Sequence, residues 1–149
     1  MKLNDRSGAV VNARRILPVL AGEYFAQVRG LLAGTTHPRD LHRIRLATKH
    51  FRYTLELFRP CYGSGLETRI ATLRNVQRLL GDINDCVASW ELLSKTLPKS
   101  PTRTKVKEYL KNQAEHDAED FRKEWKEKFD APGREGWWKV YLRNAGKSA

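Results

Sequence analysis

Cysteine is scarce in this chain: its 149 residues hold only Cys61 and Cys86. Neither sits in a CxxC or at metal-ligand spacing, which excludes a zinc-ribbon or dithiol redox centre. Both thiols are expected to be reduced and structural. Long apolar runs are also missing. No stretch approaches the ~18 residues of a membrane span, and the opening MKLNDRSGAVVNARR lacks the unbroken apolar segment of a signal peptide. A cytoplasmic location is therefore expected. No strand-like alternation bounded by hairpin turns occurs, which leaves little room for a sheet. No glycine-rich phosphate loop occurs either, which argues against a nucleotide-hydrolysing fold. Acidic residues are the minority, 17 against 28 Lys and Arg, and the net charge of +11 calls for a polyanionic partner.

What is present is helical periodicity. The chain is long enough for one domain with a substantial core. A first helix is expected from a Ser7 cap to about Leu32, with a kink or break near Leu17 because Pro18 lies inside it. Val10, Ala13, Leu17, Leu20, Tyr24, Val28 and Leu31 form its buried stripe. Gly34 to Pro38 reads as a loop. A second helix follows, ended by Pro60 and a turn at Gly63-Ser64-Gly65. Leu66, Ile70, Leu73, Val76 and Leu80 mark a third helix that Gly81 is expected to stop. Arg69 falls within that seam by angle, so it must snorkel, pair or face a cavity. A fourth helix is expected over about Cys86 to Leu97, capped by Asp85, with Val87, Trp90, Leu93 and Leu97 as its apolar side. A fifth should run from about Thr104 to Phe129, with a seam of Val106, Leu110, Gln113, Asp117, Phe121, Trp125 and Lys128 that is stronger at its ends than in its middle. The aromatic tail Trp137-Trp138-Lys139-Val140-Tyr141-Leu142 should either cover the bundle or join an interface. The fold class is thus all-α, an antiparallel bundle of four to five helices in a single domain over 1–149.

The stretch Leu41 to Arg59, LHRIRLATKHFRYTLELFR, organises the rest. At about 100° per residue, Ile44, Ala47, Phe51, Leu55 and Phe58 share one arc, which is core. His42, Arg45, Lys49, Arg52 and Tyr53 share the next, as stacked neighbours about 5–6 Å apart. Such a row repels itself by about 0.2–0.5 kcal/mol per like-charge pair in an isolated helix. Glu56 supplies one counter-ion, too few for the row. A repetitive anion would relieve it. Arg74 and Arg78 lie beside the third helix's seam, and Arg14 and Arg15 precede Pro18.

Two motifs carry a family resemblance. They are His42-x-x-Arg45-x-x-x-Lys49-x-x-Arg52-Tyr53-x-x-Glu56 and Leu73-Arg74-x-Val76-Gln77-x-x-Leu80-Gly81-Asp82-x-Asn84-Asp85. Together with Ala13-Arg14-Arg15-Ile16-Leu17-Pro18 they resemble the CHAD family, the conserved-histidine α-helical domain, most strongly over about residues 13 to 97. The resemblance implies a helical bundle that binds inorganic polyphosphate through basic side chains lining a groove. It places His42, Arg45, Lys49 and Arg52 in the family's basic row and Arg74 at a basic position on the adjacent helix. Tyr53, Arg78, Arg14 and Arg15 complete the candidate polyphosphate-binding set, with Asp85 read as structural. It also implies a domain of two similar halves, roughly twice this length, of which this chain resembles one. Either a half suffices or two chains pair as a homodimer. Polyphosphate granules become a candidate address within the cytoplasm.

The chemistry suits such a ligand. Arginine offers phosphate oxygens a planar fork and lysine a mobile point charge. Protonated His42 would add a third kind of donor, and otherwise it would serve as a hydrogen-bonded link between two helices. Tyr53 is expected to position a basic neighbour through its hydroxyl. Nucleic acid is the first competing ligand, but the row carries Tyr53 without an aromatic ladder for stacking bases, and no known nucleic-acid motif is visible. Catalysis is the second competitor. His42, Asp82 and Asp85 could form an acid–base set or hold magnesium near a phosphate, although capping explains Asp85 more simply. No enzymatic activity, cofactor or metal is expected. A protein-interaction or granule-coating module, docking through Trp137-Trp138, is the third.

Overall fold

The computed structural model describes residues 6–34 and 37–146, and among them every regular element is helical. Five α-helices follow in order: α1 (Arg6–Leu32), α2 (Pro38–Leu57), α3 (Ser64–Thr96), α4 (Pro101–Lys128) and α5 (Arg134–Arg143). A single 3-10 turn, Arg59–Cys61, separates α2 from α3. This is the all-α helical bundle that the periodicity predicts. Of the expected first loop, Thr35 and Thr36 lie outside the described residues.

Local chemistry sets most of the boundaries. Pro38 and Pro101 occupy first-turn positions, where a missing N–H costs nothing. Asp40 accepts the His37 amide at 3.1 Å, and Ser100 Oγ accepts the Arg103 amide at 3.1 Å. Gly133, at φ 81°, makes the left-handed turn between α4 and α5.

Three expected boundaries differ in the structure, two of them overridden by packing. Ser7 is not the cap of α1, because the helix already includes Arg6. Pro18 does not break α1, which runs unbroken through it. An interior proline costs about 3 kcal/mol, but Pro18 is itself buried, and Ala13, Leu17, Ala21, Tyr24, Phe25 and Val28 are packed along the same helix. Gly81 does not stop the third helix. That glycine remains helical, Asp85 lies inside the helix rather than capping a new one, and the third and fourth expected helices are one helix of 33 residues. Helical glycine costs roughly 1 kcal/mol. Buried Leu79, Leu80 and Ile83 on either side of it hold the helix against the core.

The core is aromatic. Tyr24, Phe25, Phe51, Trp125, Phe129 and Trp138 meet around its centre, with Trp125 stacked on Phe129 at 4.3 Å and Phe129 on Trp138 at 5.2 Å. Tyr24 Oη lies 2.8 Å from Thr48 Oγ1. Thr48 Oγ1 donates to the Ile44 carbonyl at 2.7 Å, so the tyrosine hydroxyl is the donor in the pair. Burial raises the Tyr24 hydroxyl well above its usual range.

The seam of α4 is one-sided. Phe121, Trp125 and Phe129 are buried, Val106 and Leu110 are only half-buried, and Lys128 points to solvent, so Phe129 takes the place given to Lys128 by spacing alone. From residue 84 to 116 no side chain is fully buried. The distal halves of α3 and α4 therefore form a hairpin arm beyond the core, where Trp90 is capped by Arg103 and Lys107 at 5.4 and 5.1 Å.

The aromatic tail covers the bundle. Trp138 and Leu142 are fully buried, and α5 closes against α1 and α3. Arg69 of α3 is the clamp. Its guanidinium lies 3.5 Å from the Trp137 ring centre and 3.9 Å from that of Tyr141. It also donates to the Trp137 carbonyl at 2.6 Å and to the Gly65 carbonyl at 2.8 Å. Burial pulls this guanidinium down to about 10, which still leaves it charged at neutral pH.

Arg69→Ala should remove two charged hydrogen bonds and two ring contacts. The expected cost is about 3–5 kcal/mol, read by denaturant unfolding, with faster proteolysis around residues 130–136 as α5 releases. An unchanged unfolding midpoint would show that α5 holds without the clamp.

Candidate functional site

Along α2, the residues that follow from spacing separate into two environments. Ile44, Thr48, Phe51 and Leu55 are buried, and Ala47 packs against them. The neighbouring strip carries His42, Arg45, Lys49 and Arg52, and beyond them Glu56. His42 is exposed at its head and forms no hydrogen bond among the described residues, so it does not tie two helices together. Arg45, Lys49 and Arg52 are half-buried. Long cationic side chains at such positions can cover apolar surface with their stems.

Tyr53 acts through its ring rather than its hydroxyl. Lys49 Nζ sits 5.7 Å and Arg52 Cζ 4.7 Å from the ring centre. Each such contact is worth about 0.5–1 kcal/mol at an exposed site. The ring thus holds two like charges next to each other. Both cations contact the one aromatic ring in the row, a single ring and not a ladder on which bases could stack.

Glu56 is the electrostatic centre. Its Oε1 lies 3.2 Å from Arg74 NH2, 3.8 Å from Arg59 NH2 and 3.9 Å from Arg52 NH1. Arg59 also reaches Glu67 through Nε at 2.8 Å. The Arg74–Glu56 pair marks the antiparallel register of α2 and α3. The same register carries the Arg45–Lys49 end of the row toward Gly81, beside which a side chain would meet open space. On α3, Arg78 bonds to Asn75 at 3.0 Å and Asp82 at 3.4 Å. Arg74 and Arg78, one turn apart, extend the basic surface from α2 onto α3.

The strip is over-supplied with donors. Arg45 Nε and Arg52 Nε are buried without a hydrogen-bond partner, as is the acceptor Gln77 Oε1 on α3. Unmatched buried donors cost about 1–3 kcal/mol each. An oxyanion lying along the strip would balance its charge at the exposed cationic ends, while these two buried Nε atoms stay closed to solvent.

A further pair expected with the row lies elsewhere. Arg14 and Arg15 sit on α1, where Arg14 Nε donates to the Ala145 carbonyl at 2.8 Å and Arg15 reaches Asn12 at 3.4 Å. They face α5 and not the α2–α3 strip. Two participants fall outside the candidate binding set: Arg59, which shares Glu56, and Gln77, which lies within the second motif and whose side-chain oxygen is buried. The Arg59 link crosses a 3-10 turn, which helical spacing does not describe. Among the described residues His42, Asp82 and Asp85 do not bring ligand atoms together, and Asp82 pairs with Arg78 within α3. On α4, His116, Asp117 and Asp120 bring one ligand atom each within 4.8 Å of one another, but Asp117 already accepts from Gln113 at 3.2 Å.

A family model described as the CHAD domain matches residues 2–94. The chain belongs to the CHAD domain family. That span takes in α1, α2 and α3 almost to its end, and therefore the whole α2–α3 strip, while α4 and α5 lie beyond it. CHAD domains relate in general to polyphosphate binding. No curated protein and no solved structure matches the chain. Among the described residues, no helix is long and apolar enough to cross a membrane.

Glu56→Gln should lower stability by up to about 1 kcal/mol, since its partners are largely surface cations. The loss should shrink as salt screens their repulsion, a dependence that unfolding curves at low and high ionic strength would reveal. A loss independent of salt would mean that Glu56 acts through packing and not through charge.

Proposed function

We propose that this chain is a non-catalytic binding module for inorganic polyphosphate, gripped along the α2–α3 strip by Arg45, Lys49, Arg52, Arg74 and Arg78, with His42 at its head. The observation that carries this reading is the ratio of donors to acceptors in the strip. One carboxylate, Glu56, is shared by three guanidiniums, and among the described residues Arg45 and Lys49 have no carboxylate partner. Cations one helical turn apart suit a thin chain of repeating phosphates. Arginine forks supply paired hydrogen bonds and Lys49 a mobile charge. Membership of the family supports the same ligand.

Nucleic acid offers the same phosphates but also needs its bases accommodated, and the row carries one aromatic ring, Tyr53, already in contact with Lys49 and Arg52. Catalysis has no assembled group to perform it in the strip. The module also works as a pair in this proposal, two chains supplying the two walls of a groove. The hairpin arm, with Leu92 and Tyr109 about two-thirds exposed, offers the second chain an apolar surface. Trp137-Trp138 is not the docking element, because Trp138 is spent on the core. Association with polyphosphate granules would follow from the binding itself.

The deciding experiment is titration of the full chain with long-chain polyphosphate across a salt series, with the mass in solution recorded. Affinity should fall steeply with salt through counter-ion release. Lys49 is the cleanest residue to change, because Arg52 also props Tyr53 and Glu56. Lys49→Ala should weaken binding by about tenfold and flatten the log–log salt slope by about 0.7, one contact's worth for a single-stranded polyanion. Polymer length should be unchanged after incubation with magnesium, and one polymer should be bound per pair of chains. Unaltered affinity and slope in folded Lys49→Ala would remove the strip from the binding site.

A further inference from the structure

Arg14 and Arg15 leave a question once they are found away from the strip. They line a second groove, between α1 and α5, of about 590 Å³. Lys139 and Arg143 of α5 line it from the other side. Four cations from the two ends of the chain therefore converge on one concavity, and Glu23 is the one carboxylate among the lining residues.

The partners of these cations are mostly neutral. Arg14 spends Nε on the Ala145 carbonyl, and its two terminal nitrogens have no hydrogen-bond partner among the described residues. Arg15 reaches an amide oxygen of Asn12. Arg143 forms no ion pair among the described residues. Among the described residues, Lys139 alone of the four has a carboxylate, Glu135 at 3.4 Å. Lys139 and Arg143 are also four apart on α5, a like-charge spacing that disfavours the helix on its own. The groove floor is shaped to bring the ammonium in. Gly22 has no side chain where the end of Lys139 lies, and a β-carbon there would come within 3.2 Å of Lys139 Cε and Nζ.

The lining also selects chemistry. Pro18, Val19, Gly22 and Ala26 form its uncharged wall, with no aromatic ring among them. A base or an indole-like ligand would find nothing to stack on. Three arginine forks and one ammonium suit a compact, multiply charged oxyanion.

We propose that the α1–α5 groove is a second binding site, for condensed phosphate, built partly from a helix that the family match does not reach. It rests on the preceding reading only for the class of ligand. The site lies on a different pair of helices from the α2–α3 strip, so one chain can hold two phosphate segments, from one long polymer or from two. Tripolyphosphate is short enough to count the sites separately, and long polymer reports whether they are linked.

The test is calorimetric titration of the full chain with tripolyphosphate at low salt, comparing wild type with Arg15→Glu/Arg143→Glu and with Lys49→Glu. Both arginines in the double variant are exposed and hold no core contact, and far-UV circular dichroism with a melting curve establishes folding. A milder Arg15→Gln/Arg143→Gln pair serves if charge reversal disturbs the fold. Wild type should bind two tripolyphosphates per chain, the double variant one, and Lys49→Glu the other one, each lost site weakening at least tenfold. Long polymer should bridge chains into larger assemblies with wild type and not with the double variant. Two sites of unchanged affinity in the folded double variant would overturn the proposal, as would a single wild-type site abolished by Lys49→Glu. Loss of a site in the double variant alone, with Lys49→Glu unaffected, would uphold the groove and reject the strip.

Discussion

Arg69 shows what the fold had to solve. The amphipathic faces of α1, α2 and α3 leave one side of an aromatic core open, and only the short α5 is available to close it. Ten residues are too few to be helical on their own account. They stay because a buried guanidinium stacks on Trp137 and Tyr141 and bonds to the carbonyls of Gly65 and Trp137. Gly65 belongs to the same arrangement. A β-carbon there would come within 2.5 Å of the Tyr141 ring, so the close approach of α5 to the start of α3 requires the missing side chain. With α5 in place, Trp138 completes the stack that also contains Phe129 and Trp125. Asp130 then accepts from both Trp125 and Arg29, tying α4 to α1.

That closure gives the charged surface its stability. A row of cations on α2 disfavours its own helix, and the repulsion must be offset by something insensitive to charge. The inner face of α2 does this through Ile44, Phe51 and Leu55, while Thr48 satisfies Tyr24 inside the core. Glu56 then does the minimum needed on the outer side. It joins Arg52, Arg59 and Arg74 without neutralising them. Had each cation its own carboxylate, the helices would be more comfortable and the strip would have nothing to offer an anion.

The parts of this structure legible in the sequence are those set by period. The buried arc of α2, the seam of α3 and the all-helical class follow from repeats of three and four. Gly81 misled as a stop, and Pro18 as a possible break, because residue preference is a local quantity of about 1–3 kcal/mol. Burial on both sides of each residue outweighs that preference, and only the fold reveals the burial. Lys128 misled because the α4 seam advances by four at Trp125 to Phe129, where spacing alone allows three or four. Arg69 was legible as a problem, a cation within an apolar seam, but its solution lies 68 residues away in Trp137. The strip on α2 was legible for the same reason as the core, since both are faces of one helix. Arg14 and Arg15 were legible as basic residues but not as neighbours of Lys139 and Arg143, because no spacing rule links positions more than 120 residues apart.

The two basic surfaces differ in how they are built, and the difference bears on how a polymer would be held. The α2–α3 strip follows the helix axis, its cations rising one turn at a time, which favours an extended chain lying along it. The α1–α5 groove gathers its cations from two sides around a glycine floor, which favours a compact segment or a chain end. A flexible polyanion that engages one surface raises the effective concentration of its own remaining phosphates near the other. Neither surface then needs to be strong alone. Each can retain the half-satisfied cations that make it receptive, because the aromatic core between them, and not the ligand, keeps the helices together.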